Sequence, residues 1–433
     1  METVRFFDIK PGVNLTCIYT KKFKTDCMSL TLLTQHDRDT ASLNAVLPYV
    51  LRRGTQSHPD MESLAAALDE LYGSCIEPVV RRIGEIQCIG FYANMPSTAF
   101  LPDSGVLHST VALLCEMLLR PATRNGLLNR DYVAGEKQKL IEDIRGVVNN
   151  KLGYAAQRLY EEMCCCEPFA VPKRGTESTA EGIHYQKLTK HYKNLLASCP
   201  VEIIYVGSEK PGTVREAFVD GLASLPRGEI NYDIGTEVRM NSLEAGPRYF
   251  SDEMNVTQGK LALGFRLGEC MEEPDLAALT VFNNAYGGGV NSKLFMNVRE
   301  KMSLCYFAQS IVNTDKGLLC VFSGIDFDKY DEAKDEILAQ LEAIKRGELS
   351  DEELTAAKRA AVTALQQLPD SAGELEGYWL SNCVNGLEIE PQEMAALCEE
   401  VSREDIIAIA NSVELDAVYF LKGNGGEEDD EED

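Results

Sequence analysis

An internal repeat constrains this chain more than any single motif. Residues 4–7, 14–19 and 28–34 alternate apolar and polar side chains in the manner of strands, with Met28, Leu30 and Leu32 set against Ser29 and Thr31. Helical spacing follows over 41–53 and again over 60–72, ending at Gly73, and 75–93 reads as a strand pair turning near Gly84. Amphipathic helices over 106–119 and 129–148 and a strand at 201–206 close the series. The order then returns: a strand at 260–266, a helix over 275–286 ending in Gly287, Gly288 and Gly289, a helix over 292–302, a strand pair over 309–321 turning near Gly317, and a helix over 329–344. The heptapeptide from Ala41 sets against that from Leu276, and Gly84 against Gly317 with nearly the same offset. We therefore expect a duplicated α+β domain of roughly 210 residues, a size that suits one core per copy. The copies are placed at 1–226 and 250–422, with a linker at 227–249 where Gly228, Gly235, Gly246 and Pro247 cluster, and a tail at 423–433.

Charge and composition exclude several classes. The formal net charge of -26 argues against nucleic acid or an anionic membrane as partner, because phosphate binding needs clustered Lys and Arg. Seven of the negative charges form the terminal run 427–433 after a glycine-rich stretch, which reads as a disordered solubilising tail. No apolar run reaches the roughly 18 residues of a membrane span, and the N-terminus lacks a basic region leading into an apolar one, so a cytoplasmic location is expected. The 14 cysteines contain no Cys-x-x-Cys pair and, apart from Cys164, Cys165 and Cys166, stand singly, as small apolar core residues do in a reducing compartment. His36, His58, His108, His184 and His191 are too far apart in sequence to place two imidazoles on one helix turn.

Several motifs carry an open choice between chemistry and structure. Leu43, Val46, Leu47, Val50 and Leu51 make one apolar helix face running into Arg53, Gly54 and Thr55, and Pro48 inside it removes a backbone hydrogen bond at a cost of about 3 kcal/mol in an interior. Gly287 to Gly289 before a helix has the look of a phosphate cradle, but no Gly-Lys-Ser/Thr closes it, and a tight link between helices is the simpler reading. Glu136, Glu142 and Asp143 read as the solvated face of the 129–148 helix. Ser350 and Glu353 have the spacing of a capping box.

The frame around Arg53-Gly54-Thr55 and the block from Gly287 to Tyr306 resemble the pitrilysin/insulinase family of zinc peptidases over about 1–422. In that family an inverted His-x-x-Glu-His motif on a helix clamps zinc through two imidazoles one turn apart, with a carboxylate beside them as base. This chain has Ala45, Pro48 and Tyr49 at those places: no donor, no carboxylate and a phenol that is a poor zinc ligand. The third ligand position falls on Asp143, which is left without companions. The resemblance thus implies two homologous domains, each a mostly antiparallel sheet covered by helices, forming half of a clam-shell. It also implies a chain inactive by itself, with no cofactor of its own and zinc only in a partner.

Retention of Arg299 and Tyr306 gives the resemblance a functional form. In paired bacterial members one subunit holds the zinc motif while the other contributes an Arg and a Tyr to the same chamber. Arg299 offers a fixed fork of donors and Tyr306 a hydroxyl on a rigid ring, suited to peptide carbonyls. The expected partners are a zinc-bearing sister subunit and a peptide. The pattern is nearest to members named for an association with 5-aminopentanol modification of elongation factor P. The structural reading of the two residues makes Arg299 a surface helix residue and Tyr306 a core strand residue. For the whole chain the alternative is a purely structural scaffold that binds no peptide.

Overall fold

The computed structural model describes residues 3–101, 105–239, 245–268 and 272–423; the acidic run 427–433 lies outside the described residues. The first half runs β1 (Thr3–Lys10), β2 (Val13–Tyr19), β3 (Thr25–Gln35), α1 (Ala41–Leu51), α2 (Met61–Glu70), β4 (Cys75–Ile83), β5 (Ile86–Pro96) and α3 (Gly105–Leu119). A two-residue pair, β6 (Thr123–Arg124) and β7 (Leu127–Leu128), leads into α4 (Arg130–Gly146), α5 (Lys151–Met163), α6 (Glu177–Glu181), α7 (Tyr185–Ser198), β8 (Val201–Gly207) and α8 (Pro211–Gly221). The second half runs β9 (Arg248–Met254), β10 (Gly259–Arg266), α9 (Glu273–Tyr286), a π-helical stretch Leu294–Lys301, β11 (Cys305–Asn313) and β12 (Leu318–Ile325). It continues with α10 (Tyr330–Lys345), α11 (Asp351–Gln367), α12 (Ala372–Asn385), α13 (Pro391–Glu400), α14 (Arg403–Ser412) and β13 (Glu414–Gly423).

The two large sheets have one topology. Their strand orders are β1-β2-β8-β3-β5-β4 and β11-β12-β10-β13-β9, so β2, β8, β3, β5 and β4 correspond to β9, β13, β10, β12 and β11. Each sheet holds one parallel pair, β2 with β8 and β9 with β13, and the remaining neighbours run antiparallel. The molecule is thus α+β with two matching sheets, and the turns at Gly84 and Gly317 join equivalent hairpins. The 292–302 segment is helical as expected but wound as a π-helix. Leu294 and Val298, its buried residues, fit either winding by spacing, so the sequence could not separate the two.

The chain divides into two compact units. Unit 1 comprises Met1–Arg145, Val171–Gly235 and Leu368–Glu388; unit 2 comprises Gly146–Ala170, Thr236–Gln367 and Ile389–Asp433. Each unit therefore holds, besides the stretch the sequence allots to it, one helix from the other half: α12 in unit 1 and α5 in unit 2. These two helices occupy equivalent places in the repeat, one after α4 and the other after α11.

In unit 1, Met28, Leu30, Leu32, Leu15 and Ile203 face a core built with α1, α3, α7 and α8. The opposite face, through Ile18, Cys27, Ile204 and Val206, packs on Leu375, Trp379 and Leu380 of α12. A strand that looks amphipathic is consequently buried on both sides: Ser29 and Thr31 have no exposed surface, and their hydroxyls lack hydrogen-bond partners. Arg81 secures α12 with two 2.8 Å hydrogen bonds to the buried Glu376 carboxylate.

In unit 2, α5 lays Ala155, Leu159 and Met163 against Ala262, Cys320 and Tyr419. Gly264 permits this approach, since a Cβ there would sit 2.5 Å from the Met163 sulfur. Just beyond α5, Glu167 accepts from Arg266 at 2.7 Å and pairs with Lys316 at 2.6 Å, while Asp416 accepts from Arg266 at 2.8 Å and Arg248 at 2.6 Å. Glu167, Arg266, Lys316 and Asp416 have fully buried side chains. Burial acts to raise the Glu167 carboxyl, but Arg266 and Lys316 outweigh it and hold the group below its ordinary range.

Candidate functional site

Helix α1 carries the three positions at which the family resemblance places its metal motif. Ala45 is 1% exposed and has no donor atom, Pro48 is buried within the helix and its carbonyl accepts from Arg52 N at 3.0 Å, and Tyr49 is half-buried. Asp143, on α4, is exposed and pairs with Arg174 at 3.3 Å. These residues do not fit a zinc ion: the helix supplies at most one phenol and α4 one carboxylate already facing a guanidinium. Among the described residues no three His, Cys, Asp or Glu side chains gather as a metal-holding group.

Glu136 corrects the reading of α4 as a solvated face. It is 5% exposed and its carboxylate takes Arg53 at 3.1 Å and Lys139 at 3.0 Å. Arg53 follows α1, so this pair ties the end of the motif helix to α4, and Glu142 and Asp143 remain on the outside. Gly54 and Thr55 are equally structural. A Cβ at Gly54 would lie 2.5 Å from the Pro59 carbonyl oxygen, and Thr55 is fully buried, taking the His58 N–H on its hydroxyl at 3.0 Å.

A polar link that sequence reasoning missed lies beside the motif. Asn44 donates to Gln87 Oε1 at 2.9 Å, and its Oδ1 meets His191 Nε2 at 2.6 Å; Gln87 in turn donates to the carbonyls of Ala41 and Lys173. The link joins α1, β5 and α7. Burial brings the His191 imidazole down to about 4, with Lys187 adding to the effect, so it donates as the neutral ring. The signal was present in part: Asn44 is a polar residue on an otherwise apolar helix face. Its partners are 43 and 147 residues away and could not be paired from spacing.

In unit 2, α9 and the following π-helical stretch take the place of α1 and α2. The N–H groups of Gly287 and Gly288 both donate to Asn283 O, at 2.9 and 2.7 Å, and so are committed to the helix end rather than open to a phosphate. Arg299 lies in the last turn of the π-helix, its guanidinium 4.6 Å from the Phe295 ring centre and 3.3 Å from Glu300. Tyr306, on β11 at the sheet edge, is 64% exposed, with its hydroxyl 3.4 Å from Asp326. It is not the core strand residue that a structural reading of the motif expects. Ser350 and Glu353 form the expected reciprocal cap of α11 at 3.1 and 2.7 Å, and Glu353 also takes Lys293 at 2.9 Å.

Comparison with known proteins agrees with this arrangement. A family model described as the peptidase M16 inactive domain matches residues 182–361. The chain is similar to the probable inactive metalloprotease YmfF of Bacillus subtilis, 32% identical over 418 residues, covering 96% of this chain and 97% of that one. It is 24% identical over 310 residues to an uncharacterized zinc protease of Rickettsia bellii, covering 68% of this chain and 71% of that one. Among solved structures, a conserved protein from Enterococcus faecalis superposes with a TM-score of 0.87 at 26% identity, covering 98% of this chain and 99% of that one. A peptidase M16 inactive domain from Pseudomonas fluorescens gives 0.79 at 16% identity, a likeness of fold, covering 98% and 99% of the two chains. With its metal motif replaced and its length matched nearly end to end, the chain belongs to the peptidase M16 family as one of its inactive homologues.

Proposed function

We propose that this chain is the non-catalytic half of a two-subunit peptidase of the bacterial cytoplasm. It shapes the chamber and holds the peptide through Arg299 and Tyr306, while a sister M16 subunit carries the zinc. The observation that supports this reading is a contrast within one repeated architecture. The first copy has lost its donors on α1, whereas the second keeps an exposed Tyr306 on an edge strand and a half-exposed Arg299 in the turn before it. An edge strand offers unpaired backbone groups to an extended peptide, and Tyr and Arg beside it add donors for the peptide's carbonyls. A role connected with elongation factor P modification belongs to the same reading, through the resemblance of the sequence to members named for it.

The test begins with the tagged chain in its native cells. Recovery of a roughly equimolar M16 partner bearing His-x-x-Glu-His supports the pair, and a chain that recovers only itself removes it. In the reconstituted pair, Arg299→Ala and Tyr306→Phe are expected to lower peptide turnover by more than about tenfold while changing stability by under about 0.5 kcal/mol, as exposed substitutions do. Unchanged turnover in both variants would leave a scaffold.

A further inference from the structure

We propose that unit 1 contains a binding site for an alkylammonium group, in a cavity of about 370 Å³ between the β1-β2-β8 edge of its sheet and the C-terminal end of α12. The size lies within the range of small-ligand sites.

The cavity is built by sheet register. Asp8, Asn14 and Glu202 are direct neighbours across β1, β2 and β8, so their side chains form one row on the face that α12 covers. Phe6 and Thr16 form the next row. The Phe6 ring meets Trp379 edge-on at 5.8 Å and is 46% exposed, which leaves aromatic surface at the cavity wall. Past Trp379, α12 ends at the left-handed Gly386, and Glu388 lines the cavity beyond it.

Glu202 is the decisive group. It is 6% exposed, yet no cation pairs with it among the described residues. One carboxyl oxygen accepts from Asn14 at 2.7 Å; among the described residues the other takes no hydrogen bond, and Glu202 lines the cavity. A carboxylate in that position is costly without a counter-charge. The surroundings are chosen for one sign: two further carboxylates, Asp8 and Glu388, an aromatic wall, and the carbonyl end of a helix, where positive charge is favoured. Cys383 is the remaining titratable neighbour, its sulfur 3.5 Å from the Thr16 hydroxyl, and burial keeps it a thiol. The cavity is partly apolar, with Phe6, Phe7, Leu15 and Leu387 among its lining, which suits an ammonium on a short aliphatic chain, either a free amine or a lysine side chain.

Burial pushes the Glu202 carboxyl up to about 7, against the Asn14 hydrogen bond. A cation binds the ionised form, so affinity should rise with pH, by about tenfold between pH 6 and pH 8 for a group titrating near 7. The test is a ligand-detected NMR titration of the full chain with n-butylammonium, with Nα-acetyl-lysine methylamide, and with n-butanol as the uncharged control. We expect saturable binding of one or both cations, tighter for the free amine or for the lysine analogue according to the natural source, and none of n-butanol. Glu202→Gln preserves the Asn14 contact and should weaken binding at least tenfold and flatten its pH dependence. Phe6→Ala should weaken it while leaving the pH dependence in place. Absence of saturation at tens of millimolar, equal binding of n-butanol, or unchanged affinity in a folded Glu202→Gln variant would each overturn the site.

Discussion

A Cβ at position 54 would press against the backbone of Pro59, which has no flexible end to yield, so Gly54→Ala should cost about 1–3 kcal/mol, read as a lowered urea midpoint. Arg53, Gly54 and Thr55 are thus held by packing and pairing that need no metal chemistry beside them. His191 makes a pH-dependent contribution of defined sign. Its imidazole titrates at about 4 in the fold and near 6.5 when unfolded, so the stability it confers is present above 6.5 and lost as pH falls toward 4. Glu202, raised to about 7, acts in the opposite sense over part of that range, so the comparison must be made against a variant that retains it. Wild type should lose more stability between pH 7 and pH 4.5 than His191→Gln, measured by chemical denaturation. Equal loss in the two proteins would mean that the ring is not held neutral by the fold.

Elements show where spacing was sufficient and where it was not. Apolar periodicity located α1, α2, α3, α9 and α10 and the hairpins at Gly84 and Gly317, because each follows a local period, and the capping box at Ser350 and Glu353 marked the start of α11. Glu136 was misplaced because it lies on the same turns as exposed acids, and only the arrival of Arg53 from the end of α1 shows that it is inside. Arg266 is a similar case. In sequence it ends an apolar strand and looks like a solvent-facing terminus, but in unit 2 its guanidinium is buried between Glu167 and Asp416. Arg266→Met would leave Glu167 to Lys316 alone and Asp416 to Arg248 alone, with buried carboxylate oxygens unpaired, and should cost about 3 kcal/mol, detected as an early unfolding transition with unchanged native circular dichroism.

At the scale of the whole chain, the two helices α5 and α12 decide how the molecule can be divided. A fragment ending at residue 226 contains every strand of the six-stranded sheet but lacks α12, leaving Ile18, Ile204 and Val206 bare. Such a fragment should aggregate or bind a hydrophobic dye, and co-expression with 227–433 should restore solubility. A soluble, cooperatively unfolding fragment would contradict that dependence. Trp379, the single tryptophan, is 1% exposed beneath Phe6, so its fluorescence reports whether α12 has docked. By itself the sequence determined the duplicated α+β order, the hairpins, the absence of metal donors at Ala45, Pro48 and Tyr49, and the retained Arg299 and Tyr306, since these depend on residue identity and local period. Tertiary structure alone decided that α5 and α12 cover the sheets on their second faces, and with them the burial of Ser29, Thr31, Glu167 and Glu202. Those contacts join residues about a hundred or more positions apart, and local periodicity carries no record of what will cover a strand's polar side.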